Sequence, residues 1–253
     1  MEKNSDAAIK LQSIYIPTVE SSTNTLLMQR DFSDYTVIYT FNQISGRGRL
    51  GRQWVNIPNK NLAFSIGLRS LKCQPIWITA ALSVAATTAL EKNGLAGTWI
   101  KWPNDIFVGQ SKLAGVLTES TWENNKIDKC VAGIGINLNS SDEELRSTVT
   151  DKQATSFFAQ TNKKINLEHF ANCLQENIVD CLELLKNGGV SYMKQLWLSK
   201  AKLIGEKAEL SEIYKSSSVI SGVIENIDDD GFLYFNDGTK TFRVVTGDIK
   251  IIF

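Results

Sequence analysis

The sequence predicts an α+β fold, and three features of its patterning lead there. Between Trp99 and Asn139 several short apolar runs, TWIKW, DIFVG, KLAGVLTE and KCVAGIGIN, follow one another with few polar or glycine residues between them. Connections that short favour antiparallel pairing, because a parallel neighbour needs a helical crossover for which there is no room. Longer stretches on either side carry helical signals. Beyond about Gly205 the texture changes to short alternating strands with turns at Asp230-Gly231 and Asp237-Gly238. A boundary near Lys200 to Gly205 therefore separates residues 1–203 from a small all-β domain at 204–253.

Ser21-Ser22-Thr23-Asn24 ahead of TLLMQR reads as an N-cap and a first helix, and Tyr35 to Phe41 as a strand. In NLAFSIGL, Leu62, Phe64, Ile66 and Leu68 alternate with a period of two, the pattern of a half-buried strand. Pro75 opens a helix whose Ala- and Leu-rich body runs from Ile76 to Lys92, and Gly94 closes it. In a second helix Leu167, Phe170, Ala171, Leu174, Ile178, Cys181, Leu182 and Leu185 recur at helical spacing; Asn166 caps it and Gly188-Gly189 ends it.

Composition narrows the chemistry. The 253 residues are 43% hydrophobic and 21% charged, enough for a real core. Lys+Arg and Asp+Glu balance at 27 each, so no global positive field exists to hold nucleic acid or an anionic membrane, and any anion must be held locally. No apolar run approaches the roughly 20 residues of a membrane helix, and the polar start MEKNSDAAIK lacks a signal-peptide layout, so a cytoplasmic protein is expected. Cys73, Cys130, Cys173 and Cys181 show no C-x-x-C spacing and read as buried free thiols. The single histidine, His169, lies in a helix away from any nucleophile motif, which disfavours Ser-His-Asp, Cys-His and zinc chemistry.

The most informative segment is Gly46-Arg47-Gly48-Arg49-Leu50-Gly51-Arg52, glycines interleaved with arginines after a strand. Glycines let backbone N–H groups approach a ligand and guanidinium forks bind phosphate or carboxylate, so this is an anion-binding loop. It matches G-x-G-x-x-G formally, but QWVNIPNKN does not open the helix a dinucleotide fingerprint requires. In Lys101-Trp102-Pro103-Asn104-Asp105 followed by Lys112-Leu113-Ala114-Gly115, a two-residue turn at Gly109-Gln110 would set Phe107 opposite Lys112 and Asp105 opposite Ala114. Asp105 could then hold Mg²⁺ and Lys112 neutralise a phosphate; read blandly, the two are a cross-strand ion pair worth under about 1 kcal/mol. In Gly133-Ile134-Gly135-Ile136-Asn137 the glycines strip side chains from one strand face, which allows a close approach or marks a bulge. Trp54 is a contact candidate, though tryptophans more often belong to cores.

Taken in order, SSTN at Ser21 to Asn24, Gln43 with GRGRLGR, KWPND, KLAG and GIGIN closely resemble the catalytic domain of biotin–protein ligases. The resemblance covers roughly Ser21 to Asn139 and is weak beyond it. It implies a mixed sheet related to class II aminoacyl-tRNA synthetases, with a C-terminal barrel of the Src-homology-3 kind. It also implies biotin contacts from Ser22, Thr23, Asn24, Gln43, Gly46, Arg47, Lys112 and Gly115. ATP or adenylate contacts would come from Arg47, Arg49, Arg52, Trp54, Asn104, Lys112 and Asn137, with Asp105 on the metal side. Lys112, Arg49 and Asp105 would carry the catalysis. Ile44-Ser45 departs from the small pair usual before the loop. The implied cofactors are ATP and Mg²⁺, and the implied partner is a biotin carboxyl carrier domain, with room for a homodimer. About twenty residues precede SSTN, too few for the DNA-binding domain of bifunctional members, so no DNA is expected. The rivals are lipoate or octanoate transfer, which GRGRLGR with KWPND disfavours, and a nucleic-acid module, which zero net charge disfavours.

Overall fold

The computed structural model describes residues 8–69, 71–149, 153–211, 219–245 and 247–252. Its main sheet is built from β1 (Gln12–Tyr15), β2 (Thr36–Thr40), β5 (Leu62–Leu68), β6 (Thr98–Lys101), β7 (Asp105–Val108), β8 (Ser111–Glu123) and β9 (Lys126–Ile136). The seven strands stand in the order β1-β2-β5-β9-β8-β7-β6. Only β1 and β2 are parallel, and the chain between them carries the short helix α1 (Thr23–Met28), the crossover a parallel pair needs. All other neighbours are antiparallel, as the short connections predict.

Alternation sorts the central strands into two faces. Leu62, Phe64, Ile66 and Leu68 of β5 and Cys130, Ala132, Ile134 and Ile136 of β9 join the core that contains α2 (Pro75–Lys92). Every residue of β5 is buried, however, so the half-buried expectation fails. The second face is covered as well: Leu27, Phe32, Ile38 and Val131 form a smaller apolar cluster there. A Cβ at Gly67 would stand 2.6 Å from the Phe32 ring. Small residues on this face, Ala63, Ser65 and Gly67, are what allow the second layer to approach.

Helix α2 is buried around nearly its whole circumference because it lies between the sheet and α5 (Leu167–Ala201), which follows the short helices α3 (Asp142–Thr148) and α4 (Phe157–Thr161). Pro75 starts it, and Gly94, at φ +97, turns the chain away after Asn93. The first helical segment of α5 ends at Gly188-Gly189 as expected, because Gly189 (φ 72, ψ −173) is non-helical; a second segment then runs to Ala201, burying Met193, Trp197 and Ala201.

Beyond α5, β10 (Lys207–Ser211), β11 (Val219–Ile227), β12 (Leu233–Asn236), β13 (Thr241–Val244) and β14 (Asp248–Ile251) form an antiparallel five-stranded sheet in the order β13-β12-β11-β10-β14. The turn between β11 and β12 seats this sheet against the main body. Trp77 Nε1 donates to Asp229 O at 2.7 Å and Trp102 Nε1 to Gly231 O at 3.2 Å. Gly231 is needed there, since its φ is +82 and a Cβ would meet Ile76 at 2.6 Å.

No helix among the described residues is long and apolar enough to cross a membrane. Cys130 and Cys181 are buried, while Cys73 and Cys173 are half-buried rather than buried, because each sits at the rim of the core. Burial pushes the Cys73 thiol up to about 11 and those of Cys130 and Cys181 up to about 12. Because the thiolate is the nucleophile, these three groups stay protonated and inert at pH 8. Labelling the native chain with a disulfide reagent at pH 8, with sites mapped by mass spectrometry, should leave Cys73, Cys130 and Cys181 unmodified until denaturant is added; fast native labelling of Cys130 would contradict this packing.

Candidate active site

On the sheet face opposite α2 lies a cleft of about 360 Å³. Its cationic centre is made by β7 and β8. Phe107 stands opposite Lys112 as the turn predicts, but a bulge at Leu113 shifts the register, so Asp105 pairs with Gly115 and not with Ala114. Leu113 and Ala114 both turn into the core, which holds the extra residue in place. Asp105 and Lys112 still share the cleft face, and Lys112 Nζ lies 2.8 Å from Asp105 Oδ1 with both side chains about four-fifths covered. Apart from this ion pair, Asp105 Oδ1 is buried without a hydrogen-bond donor.

Gly115 and Gly135 face each other across β8 and β9 and leave a bare patch of backbone. The Trp54 indole lies on it: a Cβ at Gly135 would come within 2.3 Å of Trp54 Nε1, and one at Gly115 within 3.3 Å of both the Trp54 ring and Asp105 Oδ1. Lys112 Nζ stands 5.8 Å above the same ring, close enough for a cation–π contact. Trp54 Nε1 is buried and unpartnered, an orphaned donor inside the cleft.

The arginine segment is a small ribbon, with β3 (Gly46–Arg47) and β4 (Gln53–Trp54) joined by a short 3₁₀ turn at Arg49–Gly51. No helix opens there, which removes the dinucleotide reading. Leu50 (φ 58) and Gly51 (φ 74) are both left-handed, an unfavourable choice for a leucine that lets the arginines fan apart. Arg49 Nη1 donates to Asn104 Oδ1 at 3.0 Å. Its burial pulls the guanidinium below the usual arginine range, partly offset by Asp248 and Asp105 nearby. Arg47 turns to Glu119 at 2.9 Å and to Thr25 Oγ1 at 3.2 Å. Arg52 reaches Asp248 of β14 at 2.6 Å.

The other end of the cleft is neutral and polar. Ser22 caps α1 by accepting from Thr25 N. Thr23 N donates to Gln43 Oε1 at 2.8 Å, and Asn24 Nδ2 donates to Leu117 O at 2.9 Å and Glu119 Oε2 at 3.1 Å. Asn137 is engaged within the protein, accepting from Asn61 Nδ2 at 3.1 Å and donating to Thr155 O at 3.0 Å.

All the residues singled out from the sequence line this one cleft except Gly46, which stands behind it. Gly46 lacks a side chain for packing reasons, since a Cβ would meet Trp54 O at 2.2 Å and Gln43 Nε2 at 2.6 Å. Sequence reasoning did not find Ser65, Glu119 or Asp248. Ser65 is the single hydroxyl of an apolar strand and Glu119 shares the face of Gly115, so both left a trace. Asp248 left none, arriving from a separate sheet.

Gly135→Ala should drive Trp54 off the bare patch while leaving the fold intact. Far-UV circular dichroism should be unchanged and the near-UV tryptophan signal altered, with the alteration absent in a Trp54→Phe background; identical near-UV spectra would contradict the stacking.

The model of the biotin/lipoate A/B protein ligase family matches residues 15–137, which supply every lining residue of the cleft except Thr148, Val149, Ala154 and Asp248. The biotin–[acetyl-CoA-carboxylase] ligase of Paracoccus denitrificans is 30% identical over 196 residues, 76% of this chain and 80% of that protein. The bifunctional ligase/repressor BirA of Bacillus subtilis is 28% identical over 249 residues, 94% of this chain and 73% of that protein. Among solved structures, the Aquifex aeolicus biotin protein ligase in complex with biotin and ATP superposes with a TM-score of 0.78 at 24% identity, covering 95% of this chain and 98% of that one. The chain is an enzyme that belongs to the biotin/lipoate A/B protein ligase family, among the biotin–protein ligases.

Proposed function

We propose that this ligase activates biotin with ATP to biotinyl-5'-AMP and transfers the biotinyl group to a lysine of a biotin carboxyl carrier domain. The observation that carries the reading is the meeting, in one cleft, of cations from the arginine ribbon and from β8. The names of the relatives, biotin–[acetyl-CoA-carboxylase] ligases among them, support the substrate and the carrier.

The chemistry joins two anions. The biotin carboxylate attacks the α-phosphorus of ATP, pyrophosphate leaves, and a mixed anhydride remains; the acceptor lysine then attacks its carbonyl and AMP leaves. The protein provides no covalent nucleophile. The exposed His169 sits in the first turn of α5, away from the cleft. What the cleft provides is positioning and countercharge. Lys112 exchanges Asp105 for the biotin carboxylate and the α-phosphate, and Arg49, held by Asn104, closes over the adenylate. Trp54 moves from the bare patch to cover the reactants and exclude water.

Asp105 fits a Mg²⁺ site, because its buried Oδ1 accepts no hydrogen bond among the described residues and is paired with the lysine that the reactants recruit. Mg²⁺ would neutralise phosphate charge there, keeping several waters and phosphate oxygens as its other ligands.

The division at residues 203/204 into a catalytic domain and a small Src-homology-3-like barrel belongs to the same proposal. Its support is that the strands from Lys207 to Ile251 pair only with one another. The cytoplasm, where ATP is plentiful and thiols stay reduced, is the proposed compartment.

Biotin-dependent ATP–pyrophosphate exchange tests the reading, with lipoate and octanoate run beside it; exchange driven by either of those and not by biotin would overturn it. Lys112→Ala should lower exchange by a factor on the order of 10² to 10³. Arg49→Ala should form the adenylate but release it. Retention of trapped single-turnover intermediate as in the parent would remove Arg49 from that role.

A further inference from the structure

We infer that Ser65 is a positioning residue that fixes how Thr23 meets the substrate, making the neutral end of the cleft select for a ligand N–H group. The inference rests on the biotin reading and deepens it, since neither the motifs nor the proposed chemistry gives Ser65 a task.

Ser65 sits at the middle of β5 with no exposed surface, the one hydroxyl in an otherwise apolar strand. Its Oγ lies 2.6 Å from Asn24 Oδ1 and 2.7 Å from Thr23 Oγ1. The orientation of the Asn24 amide is set independently. Its Nδ2 faces Leu117 O at 2.9 Å and Glu119 Oε2 at 3.1 Å, and both of these oxygens can only accept. Asn24 Oδ1 must therefore face Ser65 and take its single proton, which leaves Ser65 Oγ to accept from the Thr23 hydroxyl. Glu119 is in turn held by Arg47 at 2.9 Å, so the order of donors is anchored at an ion pair.

Thr23 is fixed from both sides. Its hydroxyl donates to Ser65 Oγ at 2.7 Å, and its N–H donates to Gln43 Oε1 at 2.8 Å. With its proton committed to Ser65, the hydroxyl offers the cleft a lone pair. Gly133 keeps the space behind it open, because a Cβ there would fall 2.0 Å from Asn24 Oδ1 and 2.9 Å from Ser65 Oγ. The complementary ligand group is an N–H. A cyclic urea carries two, whereas a fatty acyl chain or a dithiolane carries none and would leave the Thr23 oxygen unmet in a dry site. Ser65 thus contributes to substrate choice without touching the substrate.

The test uses the full chain, the exchange reaction, and three probes: biotin and its two ring-nitrogen monomethyl derivatives. In the parent at least one methyl derivative should be strongly disfavoured. Ser65→Ala frees the Thr23 hydroxyl to turn, so the KM for biotin should rise about tenfold, the worth of one hydrogen bond. The KM for ATP and kcat at saturating biotin should stay within about twofold. The penalty for the disfavoured methyl derivative should shrink by a similar factor. A pocket merely loosened would raise KM for all three probes alike, and an unchanged ratio would overturn the inference while the ligase reading stood. A parent silent with biotin would bring down both. If Ser65→Ala fails to fold, Ser65→Cys, a weak donor at the same place, reads the same ratio.

Discussion

The contact between Lys112 Nζ and Asp105 Oδ1 at 2.8 Å is the constraint to which the rest of the cleft conforms. Two charges held mostly out of water need each other, and losing either leaves the other costly. Neighbouring strands bring them together on one face, and the bulge at Leu113 sets Gly115 opposite Asp105, where a Cβ would press within 3.3 Å of Asp105 Oδ1. The same bare backbone receives Trp54, whose ring lies beneath the lysine. A register shift, a glycine pair and one indole thus serve a single ion pair.

The cleft is arranged so that its cations have internal partners before any reactant arrives. Lys112 has Asp105, Arg47 has Glu119 and Arg52 has Asp248. These pairs differ in burial, and so in what exchange costs. Arg52 and Asp248 are substantially exposed, a pairing of the kind worth little, while Lys112 and Asp105 are mostly covered. In the proposed reaction, replacing Asp105 by phosphate and carboxylate would preserve a countercharge for the lysine and free a carboxylate for a cation, so that binding and metal recruitment would be one exchange. The left-handed turn at Leu50-Gly51 holds the arginine ribbon in a conformation with some strain.

Much of this was legible in the sequence because short-range rules governed it. The strands of the central sheet follow from short apolar runs, the start of α2 from Pro75, and the cap of α1 from Ser22. What escaped did so for identifiable reasons. Periodicity showed one apolar face of β5 but could not show that Ala63, Ser65 and Gly67 would be covered by a second layer. Gly188-Gly189 breaks the helix as the sequence predicts, but the second helical segment beyond it, which buries Met193, Trp197 and Ala201, was not read from the pattern. The hairpin at Gly109-Gln110 was placed correctly, but a bulge has no signature in a run such as KLAG. Asp248 joins the cleft through the docking of a separate sheet, which no local pattern encodes.

Calorimetric titration of the chain with biotin and with its uncharged carboxamide puts the central claim to the most direct test. If Lys112 and the arginine ribbon converge on the substrate carboxylate, biotin should bind with a submicromolar Kd and the amide at least about tenfold more weakly. Equal affinity for the two, or no heat from biotin at all, would contradict the account.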